Sequence, residues 1–243
     1  MIVDEKFCFK EATNLTVHKT SVFFPGDGFI VYDPNREIIL RFDSYGPDSE
    51  PKDELVLMDA GGKGLLTLRR KGCCWEGKLG YWRREQEEES ERRDRASGHP
   101  LIYIYKPSLH QRWEGFLGER KEDQEPAFSV CRSSIIGRSN LIVQVFGDTG
   151  EEYHIRGSFS QRCCTIFNTS SENSSKDQVA VIKRKVDPST HVMLGKDVFW
   201  LCVRPGFDGA FAMGLVLVLD QMYGDNADGD VRDVDPTSED FSS

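Results

Sequence analysis

The chain has 243 residues, 38% of them apolar and 11% aromatic, enough for one large β-domain or two small ones. Its formal charge is −9, but after Tyr223 seven carboxylates (Asp225, Asp228, Asp230, Asp233, Asp235, Glu239 and Asp240) face Arg232 alone, so −6 of the total lies there and only −3 remains elsewhere. That balance speaks against a general nucleic-acid binder and says little else about partners.

Met1–Lys10 mixes Asp4, Glu5 and Lys6 with Phe7 and Phe9 and does not read as a secretory leader. Seven cysteines, an odd number without zinc-type spacing, read as reduced thiols, which points to a cytoplasmic or nuclear protein. The sequons at Asn14, Asn168 and Asn173 are then expected to stay unmodified.

Along the chain the elements are short. Ser21–Phe24 is an apolar run, Pro25-Gly26-Asp27-Gly28 a turn, Phe29–Asp33 a strand, Pro34-Asn35-Arg36 a second turn and Ile38–Tyr45 a strand with period-2 alternation. Glu54–Asp59 and Leu65–Arg70 flank Gly61-Gly62-Lys63-Gly64 as a hairpin. Residues 72–107 break the rhythm. Within them, Arg83–Arg95 carries repeated i,i+4 opposite-charge pairs, expected of a solvated helix or a loop.

Later strands are predicted at Ala127–Arg132, Leu141–Phe146, Tyr153–Phe159, Cys163–Asn168, Val179–Val186 and His191–Arg204, the last interrupted at Gly195, with Thr169–Asp177 as a polar loop. Asp208–Tyr223 then predicts a helix capped by Asp208, with no charge from Gly209 to Leu219. A helix without a polar face must be enclosed, and eleven uncharged residues span about 16 Å, too short for a bilayer. It therefore plugs a mainly β, closed barrel of ten to twelve strands. Residues 1–223 form one domain, and the acidic stretch 224–243 is expected to be disordered.

Several stretches resemble the LURP-one-related family of plants: SVFFPGDGFIVYD at Ser21–Asp33, ILRFDSY at Ile39–Tyr45, ELVLMDAGGKGLLTLRRK at Glu54–Lys71, SLHQRWEGF at Ser108–Phe116 and VMLGKDVFWLCVRPGFDGAFAMGLVLVLDQM at Val192–Met222. The resemblance implies a tubby C-terminal-like fold, twelve strands around a central hydrophobic C-terminal helix, similar to phospholipid scramblases. In the family the LRRK strand leads almost directly to the RWEG segment. The extra residues 72–107 are thus either a tolerated surface insertion or retained intron sequence.

The resemblance further implies a non-enzymatic protein, in some members linked to plant defence. Its suggested relation to membrane-tethered tubby-like regulators implies a cationic surface for phosphoinositide headgroups, with a place at the periphery of the plasma membrane. Lys63, Arg69 and Lys71 around one hairpin, and Lys183 and Lys185 on a later strand, are the candidate lipid-binding residues, because alternation puts Arg69 with Lys71 and Lys183 with Lys185. Arg112 is expected to pair with Glu114 or a neighbouring strand. The alternative is a protein-interaction scaffold or membrane-tethered transcription regulator without lipid binding.

Five scattered histidines offer neither a nucleophile arrangement nor a metal pair, so no catalytic residue, metal or other cofactor is expected. A monomer without a nucleic-acid partner completes the reading.

Overall fold

A computed structural model describes residues 1–20, 28–43, 54–71, 112–132, 141–147, 150–169 and 177–224. The strands are β1 (Thr13–His18), β2 (Gly28–Tyr32), β3 (Ile38–Asp43), β4 (Glu54–Asp59), β5 (Gly64–Lys71), β6 (Arg112–Leu117), β7 (Phe128–Arg132), β8 (Leu141–Val145), β9 (Glu152–Ser158), β10 (Cys163–Asn168), β11 (Asp177–Arg184) and β12 (Val198–Val203). Each pairs antiparallel with its sequence neighbour, and β1 with β12, so all twelve close into a barrel. Closure leaves none of these strands as a free edge.

Strand alternation decides what fills the barrel. Leu15 and Val17 on β1, Leu66 and Leu68 on β5, Phe128 and Val130 on β7, and Phe199 and Leu201 on β12 are fully buried. They pack around helix α1 (Gly209–Tyr223), in which every residue from Gly209 to Leu219 is buried. Near its start Phe211 meets Phe128, Tyr153 and Phe207 edge-on at 4.9, 5.7 and 5.9 Å. Such edge-to-face geometry is favourable beyond the apolar area it buries. Farther along, Gly214 lies so close to β5 that an added Cβ would stand 2.4 Å from Leu66 Cδ2.

Asp208 starts the helix and is only 2% exposed. Its Oδ1 accepts from the Ala210 and Phe211 amides at 3.0 and 3.1 Å, the expected cap. Oδ2 accepts from the amides of Ile2, Val3 and Asp4 at 3.3, 2.7 and 3.1 Å. One carboxylate thus fastens the first residues of the chain to its last element. At the other end Asp220 pairs with Lys19 at 3.1 Å, and Tyr223 Oη accepts from Arg132 Nε at 3.1 Å.

Two strands are additions to the sequence reading. In β1 only Leu15 and Val17 are apolar, too few to show a period, and its pairing with β2 and β12 makes it a strand. In β6 the apolar run breaks at Gly115, whose missing side chain leaves room for the Phe128 ring, 2.2 Å from where a Cβ would stand. The predicted strand His191–Arg204 is shorter, because Asp187 caps a turn through the Ser189 and Thr190 amides and His191 has a φ of 55°. Pairing resumes at Val198. The expectations for Ser21–Phe24, for residues 72–107 including Arg83–Arg95, and for the acidic tail lie outside the described residues, as does most of the Thr169–Asp177 loop.

Candidate functional site

The barrel carries two outward-facing cationic surfaces, one on β5 and β6 and one on β11, β12 and β1. The first arises from the register of β5 on β6, which sets Arg69 opposite Glu114 and Lys71 opposite Arg112. Together with Phe116, Arg120, Glu125 and Phe146 they line an open groove of about 450 Å³.

Its charges are partly neutralised. Lys71 Nζ is 2.6 Å from Glu114 Oε1, and Arg120 Nε is 3.1 Å from Glu54 Oε2. Of the two partners expected for Arg112 it takes the neighbouring strand: Glu114 goes to Lys71, while Arg112 Nη2 donates to Ser129 Oγ on β7 at 3.3 Å. The buried Nε of Arg112 has no acceptor, and Arg69 no ion pair, among the described residues.

The second surface spans four adjacent strands. On β11 Lys183 Nζ sits 5.7 Å from the centre of the Trp200 ring on β12, within cation–π range. Lys185, one residue past β11, donates to Thr16 Oγ1 on β1 at 2.9 Å. Burial holds the Lys185 ammonium below the usual lysine range, and Arg36 of the β2–β3 turn pushes it the same way. Beside it His18 stacks edge-on against Tyr32 at 5.3 Å, and its imidazole is held low, first by burial and then by Lys185. Among the described residues no carboxylate pairs with Lys183 or Lys185.

The five sequence-predicted residues therefore do not form one site. Lys63 occupies the β4–β5 turn, its amide bonded to Asp59 Oδ1, and it lies six positions before Arg69, about 20 Å along a strand. β5 and β11 are six strands apart in either direction around the barrel, so the two surfaces face opposite ways. Alternation was enough to pair Arg69 with Lys71 and Lys183 with Lys185. It could not reveal Arg36, Thr16, Trp200 or Arg120, which only the barrel closure or the loop after β6 brings alongside.

Other polar clusters are occupied. Arg162 is 2% exposed, stacks 4.2 Å from the Phe159 ring centre and 4.7 Å from that of Phe199, and donates to the carbonyls of Lys196 and Phe159. No three His, Cys, Asp or Glu side chains among the described residues could hold a metal ion. Nor is any described helix long and apolar enough to cross a membrane.

Comparison with known proteins agrees with this architecture. The LURP-one-related family profile matches residues 13–94 and 90–220. Protein LURP-one-related 12 of Arabidopsis thaliana is 52% identical over 93% of this chain and 85% of its own length. Protein LURP-one-related 5 of the same plant is 49% identical over 99% of this chain and 98% of its own. The X-ray structure of a protein from Arabidopsis thaliana superposes with a TM-score of 0.54, covering 91% of this chain and 98% of that one at 19% identity, a likeness of fold. The chain belongs to the LURP-one-related family.

Proposed function

We propose that this protein is a non-enzymatic module that holds to anionic membrane surfaces, taking phospholipid headgroups on the face of Lys183, Lys185 and Arg36. The observation that carries the reading is the setting of Lys185: a partly buried ammonium facing a hydroxyl and a second cation, with no carboxylate among the described residues to neutralise it. A phosphate arriving there would find a cation still without its counter-charge. Trp200 beneath Lys183 adds an indole of the kind that settles at the headgroup level of a bilayer.

The β5–β6 groove supports this role less well, since two of its cations already hold carboxylates. Because the two surfaces face opposite ways, a flat bilayer lying against the side of the barrel meets one and not the other.

The test is co-sedimentation of the full chain with phosphatidylcholine vesicles, with and without phosphatidylinositol bisphosphate. Each cation near an anionic surface is worth about 1 kcal/mol, so Lys183→Gln with Lys185→Gln should weaken binding about 30-fold. Arg69→Gln should leave it unchanged. Binding that ignores the anionic lipid, or an unaffected double variant, would remove the proposal and shift attention to a protein partner.

A further inference from the structure

Strands β11, β12, β1 and β2 lie side by side, and their registers fix which outward side chains meet. Thr16 on β1 stands opposite Trp200 on β12 and Tyr32 on β2. His18, two positions on, returns to the same face about 7 Å from Thr16, opposite Val198. Lys185 follows directly on β11, and its Nζ reaches over β12 to Thr16 Oγ1 at 2.9 Å. The His18 ring meets Tyr32 edge-on at 5.3 Å, and Arg36, four residues after Tyr32, is near enough to act on the Lys185 ammonium. An ammonium, a guanidinium and an imidazole thus share one small area of the barrel wall.

His18 is the member of this cluster that still lacks a role. It is half-buried, so charging it costs solvation, and Lys185 beside it already carries the sign that protonation would bring. The other described groups around it do not offset this. Its neighbours on β2 are Ile30 and Tyr32, and on β12 Val198 and Trp200. Lys19 alternates to the inner face, where it pairs with Asp220, and Asp197 stands opposite Lys19 rather than His18. In the β2–β3 turn the Asp33 carboxylate accepts from the Asn35 side chain and the Glu37 amide, and Glu37 itself is exposed. Lys185 is therefore the charge that acts on the imidazole, and it acts against the proton.

A phosphate reverses that balance. Set against Lys185 and Arg36, it cancels their repulsion of a third positive charge. It also offers an imidazolium a charge-assisted hydrogen bond, about twice as strong as a neutral one. By linkage, a ligand that favours the proton is itself favoured by the proton.

We infer that His18 is a further headgroup-binding residue of this face and takes up one proton as a lipid phosphate binds, so the protein grips an anionic membrane more firmly as pH falls. The inference rests on the reading of the Lys183–Lys185 face as a membrane contact. Uptake of one proton limits the gain to about tenfold per pH unit.

Co-sedimentation of the full chain with phosphatidylcholine vesicles containing phosphatidylglycerol tests it, because a phosphodiester headgroup keeps its charge across the histidine range, from about pH 7.5 to about pH 5.5. The expected result is binding at least about threefold tighter at the acid end for the wild type, and a flatter profile for His18→Gln, which keeps every other titrating group. His18→Lys, with its charge fixed, should bind at the neutral end as the wild type does at the acid end. The wild-type protein provides a check that needs no variant: titrated by NMR, the His18 imidazole should hold its proton to higher pH with short-chain phosphatidylglycerol present than without it. Equal pH dependence in wild type and His18→Gln, or an unmoved imidazole titration, would overturn the inference and leave the membrane reading standing. Absence of binding at either pH would remove both. Release of the protein by millimolar dimethyl phosphate would make a soluble phosphate ester the ligand and overturn the inference as well.

Discussion

Asp208 shows how much one side chain can hold. It is buried without a cation among the described residues, yet five backbone amides, two from the helix and three from Ile2–Asp4, surround its two oxygens. Sequence reading recognised the cap and not the clamp, because nothing local in Ile2–Asp4 announces an acceptor some two hundred residues away. Asp208→Ala strands those donors at about 1–3 kcal/mol for each one left buried, which removes most of a stability of about 5–15 kcal/mol. The expected outcome is a chain that is insoluble or melts far lower by circular dichroism; an unchanged melting point would refute the clamp.

His18 carries a second prediction on the same scale. Its folded pKa is depressed by burial and by Lys185, so between that value and the usual histidine range the unfolded chain binds more protons. Stability should therefore fall as pH drops below about 6.5. His18→Gln should flatten that part of a melting-temperature profile; an identical slope in the variant would show that His18 is not its source. Cysteines differ in the same way: burial pushes the Cys164 thiol up to about 12, whereas Cys163 next to it is exposed. Alkylation of the native protein with mass spectrometric readout should label Cys163 and spare Cys164.

Among elements, α1 was the most legible, because a stretch apolar on every side has few places to go. The tightness of its fit was not legible. A methyl group at Gly214 gains about 1 kcal/mol of helix propensity but meets Leu66 at 2.4 Å in a filled core, where overpacking costs about 1–3 kcal/mol. Gly214→Ala should thus lower stability modestly in a denaturant titration, and Gly214→Asp, which buries an unpaired charge, should prevent folding. A Gly214→Asp protein with wild-type melting would mean that the helix is not the core.

The strands β1 and β6 escaped sequence reading for opposite reasons. β1 has too few apolar residues to show a period, and β6 has a glycine where one was due. With β6 unassigned, the outward trio Arg112, Glu114 and Phe116 could not be set beside Arg69 and Lys71. The groove was therefore invisible although half of its cations had been singled out.

At the scale of the whole molecule, closure of the barrel is what sorts the charges. The two cationic pairs found by alternation look equivalent in the sequence, yet the strand order places them on opposite walls, one with Lys71 held by Glu114 and the other with no carboxylate partner among the described residues. The same closure has a consequence for how the protein is made. β1 can pair with β12, and Ile2–Asp4 with Asp208, only after nearly all of the chain has left the ribosome. Until then the apolar linings of eleven strands have no helix to cover, and β1 and β11 remain open edges. Contacts this distant in sequence make for slow folding, so the nascent protein passes through a long interval as an unplugged, sticky sheet. A ribosome stalled before residue 198 would release a product lacking β12 and helix α1, with its sheet edges open.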